Sequence, residues 1–333
     1  MILKIIKISL LLASALLLFF TTWFWLEFYL PPKTESKRVL FEVEKGTKAE
    51  AIAQNLKQEE IIRKKWPFLL AYKLFFFRST LKAGEYEFVL PVSSKHVLNT
   101  IMEGKIYLHP LTIPEGLTQR EIAQQVEFLH WINAQKFLQA CSETEVISSW
   151  DEKASTLEGY LFPETYHFPK GTSGNTMVKT MVSQFKKSFT EEMKKRAARL
   201  GMSIREVVIL ASLVEKETSV PEEKNLVSAV FHNRLNRGMK LDCDPTIIYA
   251  LKQKDQFQDR LRTKDLKLDS PYNTYLYPGL PPGPICNPGL ESIKAALFPA
   301  EEDYLYFVSK NDGTHHFSRT LEDHLKAVRK YQK

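Results

Sequence analysis

The stretch Ser203-Ile-Arg-Glu206-Val-Val-Ile-Leu-Ala-Ser-Leu-Val-Glu215-Lys-Glu217 joins a helix-start signal to a long apolar run. Ser203 with Glu206 three residues on is a capping box, so a helix from Ser203 to Glu217 is predicted. At 100° per residue Val207, Val208 and Ala211 stack beneath Glu215, whereas Glu217 points roughly 200° away. The two glutamates are therefore not expected to work as a pair. A carboxyl held among aliphatic side chains resists ionisation, and its pKa is expected to rise from about 4.3 toward neutrality. That makes Glu215 a candidate proton donor. A glutamate at a helix end, satisfied by a lysine or a backbone amide, fits the same pattern.

The surrounding sequence is mostly helical. Apolar spacing predicts helices at Asn133 to Cys141, Thr176 to Leu200 and Pro221 to Leu235, the last opened by an N1 proline and closed by Gly238. From Tyr272 to Gly289 glycine and proline are dense, which predicts a stiff irregular loop of the kind that lines sites. A short strand at Tyr304 to Ser309, the segment Gly313 to Phe317 and a terminal helix follow.

Upstream, one pattern occurs twice. Phe41, Val43, Gly46, Ile52, Ala53, Gln54 and Leu56 are matched seventy residues later by Leu111, Ile113, Gly116, Ile122, Ala123, Gln124 and Val126. Each copy reads as strand, glycine turn and amphipathic helix, with Thr47 and Glu50, then Thr118 and Glu121, as the expected caps. Between the copies the sequence predicts a helix around Trp66 to Phe77, a strand at Glu85 to Leu90 and a helix from Ser94 to Met102 ended by Gly104.

Residues Ile8 to Leu26 carry no charge, with Lys4 and Lys7 before them and Glu27 after. A helix from Ile8 to Phe28 is about 31 Å long, close to the roughly 30 Å hydrocarbon core of a bilayer. Lysines on the short side predict a cytoplasmic N-terminus, and Trp23, Trp25 and Tyr29 fall where an aromatic belt belongs. An uncleaved single-pass anchor is expected rather than a signal peptide, because no small-residue cleavage site follows. The expected layout is a cytoplasmic 1–7, a transmembrane helix 8–29, a tether 30–38, a small α+β module 39–109 and a larger domain 110–333. The fold class is α+β, the larger domain being mostly helical with irregular Gly/Pro-rich loops and a short sheet.

The net charge is +7, but lysine and arginine are scattered among acids, so no nucleic-acid partner is expected. A mild basic excess suits an acidic polymer or anionic lipid heads. Cys141, Cys243 and Cys286 make no disulfide framework; Cys243 and Cys286 could pair, leaving Cys141 free. No CxxC or spaced His/Cys set points to a metal, and adjacent His315 and His316 are weak grounds for one. Neither metal nor cofactor is expected.

A series of motifs runs in order through the chain: Thr112-Ile-Pro-Glu-Gly116, Glu158-Gly-Tyr-Leu-Phe-Pro-Glu-Thr-Tyr166, Leu213-Val-Glu-Lys-Glu-Thr218 and Asp244-Pro-Thr-Ile-Ile-Tyr249. Tyr272-Asn-Thr-Tyr275, Gly279-Leu-Pro-Pro-Gly-Pro-Ile285 and His315-x-Phe-Ser318 follow. In this order the chain resembles the endolytic murein transglycosylases of the YceG-like family over nearly everything beyond the anchor. The resemblance implies a single-pass protein of the bacterial inner membrane with a LysM-like module beside an extracytoplasmic catalytic domain. It implies cleavage of the MurNAc–GlcNAc bond within peptidoglycan glycan strands, leaving 1,6-anhydro-muramyl ends, and partnership with peptidoglycan synthases. Carried over residue by residue, the family's catalytic glutamate falls on Glu215. Its groove positions fall on Asn233, Asp244, Thr246, Asn273, Thr274, Tyr275 and His315, with Glu158 and Tyr166 as supporting positions. Asp242 and Cys243 stand where relatives carry an amide and a hydroxyl.

A hydrolysing glycosidase ordinarily needs two carboxylates. A lytic transglycosylase needs one, because the muramyl C6 hydroxyl is an attached nucleophile and no water has to be positioned. Glu215 could then protonate the leaving oxygen and afterwards take the proton of that hydroxyl. In this scheme Asn233, Asn273 and Thr274 are expected to orient the sugar and Tyr275 to offer a stacking face. Two alternatives stay open: a hydrolase with Asp244 as its second carboxylate, and a membrane-tethered adaptor that binds peptidoglycan without cleaving it.

Overall fold

A mostly apolar sequence free of proline and glycine makes the first element a 28-residue helix, α1 (Ile2–Tyr29), in this computed structural model. The structure describes residues 2–76 and 79–332. It divides into two compact units, Met1–His109 with His167–Lys170, and Pro110–Tyr166 with Gly171–Lys333.

Helix α1 is long and apolar enough to cross a membrane. Its last turns are not free: Phe24 and Phe28 are buried in the core of the first unit, and Glu27 pairs with Lys64 at 3.0 Å. Trp23 packs on Trp66, ring centroids 4.9 Å apart. The helix therefore runs straight into the first unit, and residues 30–37 do not separate the two.

That unit continues with β1 (Arg38–Val43), α2 (Ala49–Gln58), α3 (Lys65–Phe75), β2 (Gly84–Val89) and α4 (Ser94–Glu103). β1 and β2 pair antiparallel with Phe41 opposite Tyr86. Alternation along each strand turns Phe41, Val43, Tyr86 and Phe88 inward, onto Ile52, Leu56, Phe68, Leu98 and Ile101 of the helices. Helix α3 ends at Phe75. Phe77, the expected end, lies outside the described residues.

The second unit opens on the same order of elements: β3 (His109–Ile113), α5 (Gln119–Phe128), α6 (Ala134–Cys141) and β4 (Glu164–Phe168), with β3 paired to β4. The repeat is thus strand–helix–helix–strand, longer than the strand–turn–helix read from sequence. Gly46 and Gly116 take left-handed φ values of 85° and 76° at equivalent turns. Glu60 and His130 both turn at φ 58° after the first helix of each copy.

The two caps differ. Thr118 forms the full capping box with Glu121. In the first copy the expected Thr47 cap is absent, because the helix starts one residue later and its N-cap is Lys48, which makes no side-chain bond. Lys48 is the residue in register with Thr118, so the repeat itself names the capping position. Thr118→Ala is expected to cost about 1 kcal/mol in urea denaturation, and Thr47→Ala only a few tenths.

The remaining elements are α7 (Gly174–Ser188), α8 (Glu191–Arg199), α9 (Ile204–Glu217), α10 (Pro221–Asn236), α11 (Asp244–Gln253), α12 (Leu290–Leu297), β5 (Tyr306–Ser309), β6 (His315–Ser318) and α13 (Leu321–Tyr331). The expected helix from Thr176 to Leu200 is two helices. Phe189 turns extended and packs on Phe185 and Trp150, and Thr190 caps α8 through the Met193 N–H. Every residue of α9 from Val207 to Val214 is buried, so this helix is central rather than one-sided, packed by α8, α10, α11 and α12. Ser212, its one polar residue in that run, donates to the Ile209 carbonyl and accepts from the Ile285 N–H. The loop between α11 and α12 is irregular, as its prolines predict, and is pinned to α9 by that bond.

Candidate active site

Helix α9 carries Glu215 to the point where the chain leaves the core. Val207, Val208 and Ala211 lie fully buried beneath it, as the periodicity predicts. The carboxyl itself is not aliphatically wrapped. Three donors converge on Oε2: Lys224 Nζ at 3.2 Å, the Gly289 N–H at 3.1 Å and Ser292 Oγ at 2.6 Å. Gly289 is the N-cap of α12, where unpaired N–H groups and the helix dipole favour a carboxylate. The expected wholly aliphatic setting is therefore corrected: the carboxyl meets a lysine, a backbone amide and a hydroxyl. All three bonds fall on one oxygen. Oε1 accepts no hydrogen bond from the described residues and is not among the buried orphan atoms, so it keeps some contact with solvent.

Lys224 is 5% exposed and serves two acids, since Glu115 Oε2 lies 3.9 Å from the same ammonium. Glu115 comes from the turn after β3, and its carboxyl packs so closely on Gly289 that a Cβ there would overlap it. Burial, then the neighbouring Glu215, pushes the Glu115 carboxyl above its usual range, against the pull of Lys224. Lys216 donates to the Gly116 carbonyl at 3.3 Å, tying the Glu115 turn to α9. Sequence reading missed Glu115, Lys224 and Ser292 as parts of this site. Only Glu115 carried a signal, inside the Thr-Ile-Pro-Glu-Gly motif.

The other sequence-named residues fall into separate groups. Thr246, Asn273 and Thr274 are 0%, 0% and 2% exposed, which corrects their expected place on a groove wall. Asn273 donates to the Leu266 and Leu268 carbonyls, and Thr274 Oγ1 accepts from the Cys243 N–H and meets Thr246 Oγ1. These side chains brace the loop. Asn233 spends its Nδ2 group on the Glu302 and Tyr304 carbonyls, which leaves only its Oδ1 as an acceptor. Tyr275 donates to exposed Asp244 at 2.7 Å. His315 places its N–H and ring Nδ1 on buried Glu223 at 2.8 and 2.7 Å. Tyr166 is buried on β4 and donates to the Phe162 carbonyl.

Asp244 neighbours Glu217, the second glutamate of the motif. Burial, ahead of the Asp244 charge, pushes the half-buried Glu217 carboxyl up to about 7, with the Cys243 thiol donating to it and Arg234 opposing the rise. Asp242, the departure from the family pattern, turns at φ 49° and pairs with Arg234 at 3.0 Å. Cys243 and Cys286 remain free buried thiols, so the pairing left open by the sequence is not formed.

Glu158 is 4% exposed and sits behind the Glu115 turn. It accepts from the Gln119 N–H, Asn287 Nδ2 and Tyr249 OH. Burial dominates and pushes its carboxyl up to about 8. A group whose pKa is raised on folding stabilises fully below its ordinary value of 4.5 and loses that contribution as pH climbs through about 8. Wild-type stability should fall across that window. Glu158→Gln, isosteric with the protonated acid, should flatten the curve there by removing a slope of up to about 1.4 kcal/mol per pH unit, read by urea denaturation at several pH values.

Residues 41–330 match the YceG-like family. The chain is 33% identical over 320 residues to an endolytic murein transglycosylase of Bacillus subtilis, covering 90% of this chain and 87% of that protein. It is 30% identical over 332 residues to an endolytic murein transglycosylase of Streptococcus pneumoniae, of which it spans 59%. A crystal structure of a YceG-like protein from Listeria monocytogenes shares the fold, with TM-score 0.60 and 31% identity over 88% of this chain and 100% of that one. The chain belongs to the YceG-like family.

Proposed function

We propose that this protein is a membrane-anchored endolytic transglycosylase that cuts the MurNAc–GlcNAc bond inside peptidoglycan strands and leaves 1,6-anhydro-muramyl ends. The observation that carries the reading is the one-sided anchoring of Glu215: Oε2 is held by Lys224, Gly289 and Ser292, and Oε1 takes no hydrogen bond from the described residues. An acid fixed through one oxygen has its other oxygen oriented, so a proton on Oε1 is delivered along one direction. Protonated there, Glu215 donates to the departing glycosidic oxygen. The carboxylate that results, steadied by Lys224, then accepts the proton of the muramyl C6 hydroxyl as that oxygen closes on C1. No water is consumed. The names of the Bacillus and Streptococcus relatives support this substrate class. The N-terminal helix supports the anchor, with 1–7 cytoplasmic and the rest outside, and the strand–helix–helix–strand unit at 39–109 supports the LysM-like module.

A second reading rests on Glu115, not Asp244. Both Glu115 and Glu215 reach one ammonium, which sets their nearest oxygens at most about 7 Å apart, a separation open to two-carboxylate hydrolysis. Digestion of intact strands with mass analysis of the new ends separates the readings. Anhydro ends are expected, and reducing muramic acid, heavier by one water, as the main product would favour the hydrolase.

The position of Glu115 is testable through Gly289. Gly289→Ala keeps the N–H to Glu215 but places a methyl where the Glu115 carboxyl lies. kcat is expected to fall about 10²-fold, the cost of a misplacement near 1 Å, with the melting temperature little changed.

A further inference from the structure

A cavity of about 630 Å³ is lined by the first turn of α5, by α11 and by Glu158. Its volume is that of a small-ligand site. Its chemistry is narrow. The charges on its wall cancel in pairs: Arg120 with Asp255 at 2.7 Å and Lys252 with Glu121 at 2.8 Å. Among the described residues of this wall no cation is left over to grip an anion. The rest of the lining is amide and aromatic: Gln119, Gln124 and Gln253 beside Tyr249 and Phe257, with the Lys252 ammonium 5.9 Å from the centre of the Phe257 ring. Gln119 Oε1 is buried with no hydrogen-bond partner among the described residues, an acceptor waiting for an N–H or O–H. Glu158, fully drawn in, offers a further polar contact.

Neutral walls, amides at the sides and flat rings are what an uncharged N-acetylated sugar requires, an acetamide N–H for the orphan acceptor and a pyranose face for the ring. We propose that this cavity is a second saccharide subsite, selective for N-acetylglucosamine over the acidic lactyl sugar of the same strand. The proposal rests on the glycan-cleaving reading above and deepens it. One loop joins the two places: Asn287 Nδ2 donates to Glu158 at 3.1 Å, and two residues on, the Gly289 N–H donates to Glu215 at 3.1 Å. Three residues reach at most about 10 Å, which sets the two acid-binding points of this loop close together. Such a subsite holds the strand by its neutral sugars and leaves the muramyl residue for Glu215.

The test uses the full chain in detergent, in a Glu215→Gln background that prevents turnover, and titrates the β-1,4-linked N-acetylglucosamine tetramer calorimetrically. Gln119→Ala with Phe257→Ala should weaken binding at least tenfold with an unchanged melting temperature. Gln119→Glu, of equal size, should do the same by placing a second acid beside Glu158. In the otherwise wild-type enzyme the same changes should raise KM for long strands and leave kcat alone. Unchanged or absent tetramer binding, or a stem tripeptide binding there in its place, would overturn the subsite. Loss of cleavage in Glu215→Gln with intact binding in Gln119→Ala would retain the catalytic reading and reject this one. Cleavage surviving in Glu215→Gln would reject the catalytic reading while the calorimetry still decides the cavity.

Discussion

Glu215→Gln is expected to leave a folded protein whose strand cleavage falls by about 10²- to 10⁴-fold, the range a general acid–base contributes. The amide matches the carboxylate in shape, so its oxygen can still accept from Ser292 and Gly289 while its NH₂ takes the place of Oε1. It cannot release a proton there. Lys224 retains Glu115 as a counter-ion at 3.9 Å, which limits the damage to stability. The check is strand digestion followed by mass analysis of both ends, beside a thermal melt. A well-folded mutant with full activity removes Glu215 from the reaction.

Lys224→Met should carry the largest stability loss, about 3–5 kcal/mol, because it strips the cation from a buried pair and leaves two carboxylates facing one another. Lys224 and the Glu215 side chain are 6% and 8% exposed, so water cannot take over the ammonium's part. The penalty should shrink as the solution is acidified, since carboxyls that gain protons no longer repel. Urea denaturation at neutral and acid pH reads both effects. A double change, Lys224→Met with Glu215→Gln, should cost less than the two single losses added, which is the mark of direct coupling. An unchanged midpoint in Lys224→Met would show that the pair stabilises nothing.

Local signals were legible and long-range ones were not. The capping box at Ser203, the apolar run behind it and the buried stack under Glu215 all depend on residues within eight positions, and the structure has each of them. The partners of Glu215 do not. Gly289 and Ser292 arrive from 74 and 77 residues away, through packing of α12 on α9 that no periodicity encodes. Helix α12 itself was hidden because the proline-rich loop before it ends at its N-cap glycine. Helix α11 was hidden behind Asp244-Pro245, a pair that reads equally well as a turn. Asn233 and Asn273 show the commonest ambiguity. An amide suited to grip a sugar is equally suited to grip a main-chain carbonyl, and only the fold decides which one it meets.

The seating of α1 has a consequence for reach. With Phe24 and Phe28 wedged in the first unit's core and Glu27 clamped by Lys64, the apolar rod and the small unit turn as one piece, like a mast stepped into a hull. Lengthening residues 30–37 with added Gly-Ser should then extend nothing, because the helix is held to the small unit by its own last turns and not by that segment. Freeing the mast takes a cut at the joint itself, Phe24→Ser with Phe28→Ser, after which the small unit would swing on a cord.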